Sequence, residues 1–169
     1  DLEVKDALVQ RGVDEQLAVQ IARLSEGNFH DALALLHDQD DDFVNALRDW
    51  LNGIYANKGL ELVEWVGGMA ERNKEAQKKF LGYVIQLLEH LIRYKNLGAE
   101  NLSLLPSEQK MIEVLLSKGL TDFNVAEIND ILNESIYEIE RNANTKILFH
   151  SLSLRVQKIV LRKTLAPQG

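Results

Sequence analysis

Four histidines, a run of aspartates and a basic C-terminal stretch are the residues of this chain whose types could do chemistry. Asp38, Asp40 and Asp42 alternate as the ligands of a calcium loop do. Such a loop also needs glycine at its sharp turn and a bidentate glutamate at its end. Phe43 and Asp49 stand at those two places, so no calcium site is expected. His30, His37, His90 and His150 include no His-x-x-x-His pair, and there is no cysteine to complete a zinc site, form a disulfide or act as a nucleophile. Neither Gly-x-x-x-x-Gly-Lys-Ser/Thr nor Gly-x-Gly-x-x-Gly occurs, so no loop of backbone amides is expected to cradle phosphate. On these residues no catalytic group, metal or cofactor is assigned.

The basic stretch is more informative. From Arg141 to Gly169 the chain holds Arg141, Lys146, Arg155, Lys158, Arg162 and Lys163 with no Asp or Glu, against a net charge of −7 overall. The acidic whole argues against general nucleic-acid binding. The basic end reads either as a solvated face suited to a helix C-terminus, or as a surface turned toward DNA or an acidic neighbour.

Helices must position these groups, because the apolar spacing is 3 and 4 throughout and the only prolines are Pro106 and Pro167. Three short helices are expected first: Leu2 to Gln10, stopped by Gly12; Asp14 to Glu26, capped by Asp14 and stopped by Gly27; and Asn28 to His37. They can bury Leu8, Leu17, Ile21, Leu24, Leu33 and Leu36 together. The acidic run Asp38 to Asp42 marks a boundary between a domain over residues 1–38 and a second over 39–169, with Asp41 or Asp42 capping the next helix.

Longer helices follow. Phe43 to Ala56 turns Val44, Leu47, Trp50, Leu51 and Ile54 inward; Leu60 to Glu71 turns in Leu62, Val63, Val66 and Met69; Lys74 to Leu97 carries a stripe of Phe80, Val84, Leu87, Leu88, Leu91 and Ile92. Pro106 opens a helix that Gly119 ends. Asn124 is expected to cap the next, which carries Ile128, Ile131, Leu132, Ile136 and Ile139. In Asn142-Ala143-Asn144-Thr145 the asparagines suit a left-handed turn and Thr145 a cap, so a tight antiparallel pair should join there. The last helix, Thr145 to Leu165, is apolar on two sides. Leu148, Leu152, Ile159 and Val160 are expected to face the bundle, while Leu154, Val156 and Leu161 face a partner. Gly67-Gly68 interrupts a helix at a cost of about 1 kcal/mol per glycine relative to alanine.

With 46% hydrophobic and 27% charged residues the chain has the make-up of a globular domain rather than a disordered one. No apolar run approaches the roughly 18 residues of a membrane span, and no signal peptide is legible, so the cytoplasm is expected. The chain starts in mid-pattern at Asp1-Leu2-Glu3 without an initiator Met, which predicts a C-terminal fragment of a longer protein.

Two segments carry a family resemblance. Ala18 to Leu24 followed by Ser25-Glu26-Gly27-Asn28-Phe29-His30-Asp31-Ala32-Leu33 resembles the end of the helical lid of AAA+ ATPases, whose Gly-x-x-Arg-Asp-Ala-Leu pattern brings an arginine to the ATP phosphates. His30 takes that arginine's place, and neutral imidazole is a poor substitute for a bidentate guanidinium. The stretch Ile128 to Leu154, with Glu140-Arg141-Asn142-Ala143-Asn144 at its centre, is similar to the C-terminal helix pair of bacterial DNA polymerase III clamp-loader subunits, of the delta-prime type and its gamma/tau relatives. Many relatives have proline where Thr145 stands.

The resemblance covers the whole chain and implies an all-α fold: a three-helix AAA+ lid over residues 1–38 and a helical collar over 39–169. It implies assembly with other clamp-loader subunits through the collar, and access to the sliding clamp and primed DNA through the whole complex. It implies neither a membrane nor a small-molecule substrate, and no enzymatic activity in this fragment although the parent complex is a DNA polymerase. His30 marks a vacated phosphate site. Leu154, Arg155, Val156, Lys158, Leu161 and Arg162 are the expected subunit interface.

Two other readings stay open on the sequence. An ATP-hydrolysing gamma/tau subunit would carry a Walker lysine upstream. A ubiquitin-associated module would fit residues 1–38 in size and helix order, but Arg11-Gly12-Val13 lacks that family's Met-Gly-aromatic loop and the collar-like segment would be unexplained.

Overall fold

The structure is a computed structural model in which residues 2–10, 14–24 and 43–165 are described. These residues form helices, with one short 3-10 turn and no strand. Near the start, α1 (Leu2–Gln10) packs on α2 (Glu15–Leu24). Asp14 caps α2 as its sequence position predicts, accepting from the Gln16 amide at 3.0 Å and the Leu17 amide at 3.4 Å. Val4 and Leu8 of α1 are buried, as are Ala18 and Ile21 of α2. The third helix expected over Asn28 to His37, His30 itself and the acidic boundary at Asp38 to Asp42 lie outside the described residues.

Six further helices make a bundle: α3 (Phe43–Ala56), α4 (Gly59–Ala70), α5 (Lys74–Leu97), α6 (Pro106–Ser117), α7 (Asp122–Glu140) and α8 (Thr145–Leu165). Their boundaries follow local chemistry. Asn57 has a positive φ of 55° and closes α3 by sending the Asn57 and Lys58 amides back to the carbonyls of Ile54 and Gly53, both at 3.2 Å. The same paired closure ends α6 at Gly119, φ 83°, a conformation that glycine adopts without a Cβ penalty. Asn73 caps α5 by accepting from the Ala76 amide at 2.8 Å.

Two expected caps are corrected. α7 begins at Asp122, so its cap is Thr121 and Asn124 sits one turn inside. The two residues bond reciprocally: Thr121 Oγ1 accepts from the Asn124 amide at 3.1 Å, and Asn124 Oδ1 accepts from the Thr121 amide at 3.1 Å. Asparagine thereby does what glutamate does in the usual capping box. At α8 the capping side chain is Asn144, whose Oδ1 accepts from the Ile147 amide at 3.1 Å, and Thr145 is already helical.

The core of the bundle is aromatic at one end. Trp50 stacks on Trp65 with ring centroids 4.9 Å apart and planes 9° from parallel, and Phe80 meets both edge-on or tilted. Both indoles find acceptors, Trp50 on Ser153 Oγ at 2.7 Å and Trp65 on the Ala46 carbonyl at 2.9 Å, as a buried N–H requires. The α3–α4 crossing is close because of Gly53: a Cβ there would stand 3.1 Å from Leu62 Cδ2. Buried Gln77 reaches back to the carbonyls of Met69 and Arg72 at 3.1 and 3.0 Å, satisfying groups that α4 leaves open at its C-terminus.

Candidate interaction surface

The end of α7 fixes how α8 leaves it. Asn142 has φ 64°, the Asn142 amide donates to the Ile139 carbonyl at 3.0 Å, and the Ala143 amide donates to the Glu138 carbonyl at 3.1 Å. That is the left-handed closure for which the sequence selects asparagine. Lys74 Nζ then holds the turn against α5 by donating to Asn142 Oδ1 at 2.6 Å. α8 is thereby returned along α7, and it packs also on α3 and α4.

Its buried side is wider than spacing alone suggests. Leu148, Phe149, Leu152, Ser153, Val156, Ile159 and Val160 are all buried. Val156 therefore does not face a partner: at about 100° per residue it lies about 40° from Leu152, and it is 3% exposed in the core. Leu161 is half-buried against the same core. On α4, Val63 is corrected in the other direction, since it was expected inside and is 48% exposed.

What α8 turns outward is a second face. Ile147 is 68% and Leu154 48% exposed, and with Lys146, His150, Ser151, Arg155 and Lys158 they form one wall of an open groove of about 650 Å³. The other wall is Val63 and Val66 of α4, and Leu60, also exposed, lies one turn before Val63. Of the six predicted interface residues, Leu154, Arg155 and Lys158 thus share this groove. Arg162 is exposed and lies off it, bonded to Glu127 of α7 at 3.0 Å. Sequence reasoning did not single out Ile147, Leu60 or Val63 as outward; the signal was there in the spacing of 3 between Leu60 and Val63 and of 7 between Ile147 and Leu154.

The rim is cationic. Arg155 meets Glu134 at 3.4 Å, an exposed pair of small energetic weight, while Lys146 and Lys158 make no ion pair among the described residues. Beside Val63, Gly67 and Gly68 stand in mid-helix, and a Cβ on either would meet nothing within 4 Å. No contact inside the described residues requires them. Gly67 lies one turn after Val63, whereas Gly68 is turned to the α3 side of α4, beside Asn45, Ala46 and Asp49.

Among the described residues no three metal-ligating side chains come together, and no helix is long and apolar enough to cross a membrane. His150 is on the groove wall and His90 on α5. In comparisons with known proteins, no family model, no curated protein and no solved structure matches this chain.

Proposed function

We propose that this chain is the C-terminal, non-catalytic part of a delta-prime-type subunit of the DNA polymerase III clamp loader, acting in the cytoplasm. Its task is assembly: the helical bundle serves as the collar that joins neighbouring subunits, so that the complete loader can place the sliding clamp on primed DNA. The sequence resemblance over Ile128 to Leu154 and the vacated arginine position at His30 motivate the reading. The observation that carries it is the apolar face left without a partner, Ile147 and Leu154 of α8 beside Val63 of α4. A helix already packed on three others has no intramolecular reason to present Ile147 and Leu154 to water side by side with exposed Val63, and contiguous exposed apolar patches mark association sites.

The test is assembly of the full-length subunit with the other loader subunits, followed by native mass spectrometry and titration. Ile147→Asp with Leu154→Asp is expected to weaken assembly by about tenfold or more, because each side chain contributes on the order of 1 kcal/mol when its exposed part is buried. Circular dichroism should stay unchanged, since both side chains are outside the core. Undiminished assembly of a folded double variant would refute the assignment of this face.

A further inference from the structure

A second cleft, of about 240 Å³, runs between α3 and α6. Its floor is apolar: Val44, Met111 and Leu115 are buried and Leu51 half-buried, with Val114 44% exposed at the lip. Arg48 of α3 and Lys110 and Lys118 of α6 stand along it, and no Asp or Glu lines it. None of the three cations makes an ion pair among the described residues. Arg48 donates to Asn45 Oδ1, a neutral partner, and the Lys118 ammonium lies 4.7 Å from the centre of the Tyr55 ring. In a chain of net charge −7, three uncompensated cations around one apolar floor are a local reversal of sign.

We propose that the α3–α6 cleft binds a short acidic peptide segment bearing an apolar side chain, at a site separate from the α4–α8 groove. Charge complementarity selects the acidic groups, and the floor selects the side chain between them. From Ser107 to Lys118 the cleft wall spans about 16 Å at the helical rise, a length that an extended segment of about five residues covers. A nucleic-acid strand would satisfy the cations but not the apolar floor of Val44, Leu51 and Met111 or Val114 at its lip. A peptide satisfies both.

The experiment is fluorescence anisotropy of the complete chain with a labelled hexapeptide in which Asp residues flank Leu and Phe. Controls are the same peptide with Lys in place of Asp, with Ser in place of Leu and Phe, and a single-stranded oligonucleotide of the same charge. Saturable binding of the acidic-apolar peptide is expected, at least tenfold tighter than any control. Lys110→Glu with Lys118→Glu should weaken it at least tenfold, and Val114→Ser should weaken it about threefold, with circular dichroism unchanged because all three side chains are at the surface. Absence of saturable binding, equal binding to the charge-reversed variant, or an oligonucleotide that binds as well with no effect of Val114→Ser would each overturn the proposal. Ile147→Asp with Leu154→Asp should leave peptide binding intact, so loss of collar assembly and loss of this site are read independently.

Discussion

Ser153 is the residue on which the aromatic end of the core turns. Its Oγ accepts from the Trp50 indole at 2.7 Å and donates to the Phe149 carbonyl at 2.7 Å, all three groups being buried. Replacing it with alanine strands the indole N–H without a water to take its place. Ser153→Ala should therefore lower stability by about 1–3 kcal/mol, seen as an earlier urea midpoint with an unchanged slope and followed by tryptophan fluorescence. Tyr55 offers a second test at this scale. Burial pushes its phenol up to about 12, so the folded state holds the proton over a range where the unfolded chain, at about 10, has released it. The sign follows: stability is unaffected below pH 10 and is lost as pH rises through about 12, because the unfolded state then binds fewer protons. Ultraviolet titration of the phenolate in wild type and Tyr55→Phe would show the late-titrating group disappear in the variant.

Helix ends and helix crossings carry the argument at the next scale. Asn57, Asn142 and Gly119 each occupy the left-handed position that closes a helix, and each is a residue type that tolerates it. Glycines divide into two kinds. Gly53 is held by packing, with Leu62 in the space a Cβ would need, whereas Gly67 and Gly68 face open space. Alanine at both of the latter should stabilise the isolated chain by about 0.5–1 kcal/mol per site through helix propensity. If a neighbouring subunit approaches the backbone of Gly67, one turn after Val63, the same change should weaken assembly. Thermal melting and subunit titration of Gly67→Ala with Gly68→Ala check the two effects together, and a stabilised chain with unaltered assembly would place the contact elsewhere on the face.

Over the whole molecule, charge and apolar surface are distributed unevenly. The stretch from Arg141 onward carries six cations and leaves −13 on the residues before it, yet two of those cations are drawn back to α7, Arg155 to Glu134 and Arg162 to Glu127. Lys146 and Lys158 stand at the apolar groove and make no ion pair among the described residues. On the proposed reading, nucleotide plays no part in assembly. With no phosphate loop in the sequence, and with His30 at the lid arginine's place if the proposed reading holds, calorimetric titration with ATP and magnesium should give no saturable heat, and micromolar binding would defeat the reading of His30 as a vacated site.

Local chemistry made the helices legible before any coordinates. The period of apolar residues located α3 and α5 from Phe43 to Ala56 and from Lys74 to Leu97, where they are found, and Asp14, Pro106, Gly119 and Asn142 marked helix ends because each acts on its own backbone. Caps one turn apart were harder: Thr121 and Asn124 are both competent, and only the hydrogen bonds that formed show which lies outside the helix. The candidate surface was half legible. Leu154, Arg155 and Lys158 were named from α8 alone, while Val156 was lost to the core and Ile147 and Val63 gained. The residues that are apolar are written in the chain. Which apolar side meets water depends on how many other helices reach α8, and the crowding of α3, α4 and α7 around it is a property of the packed tertiary structure that no single helix encodes.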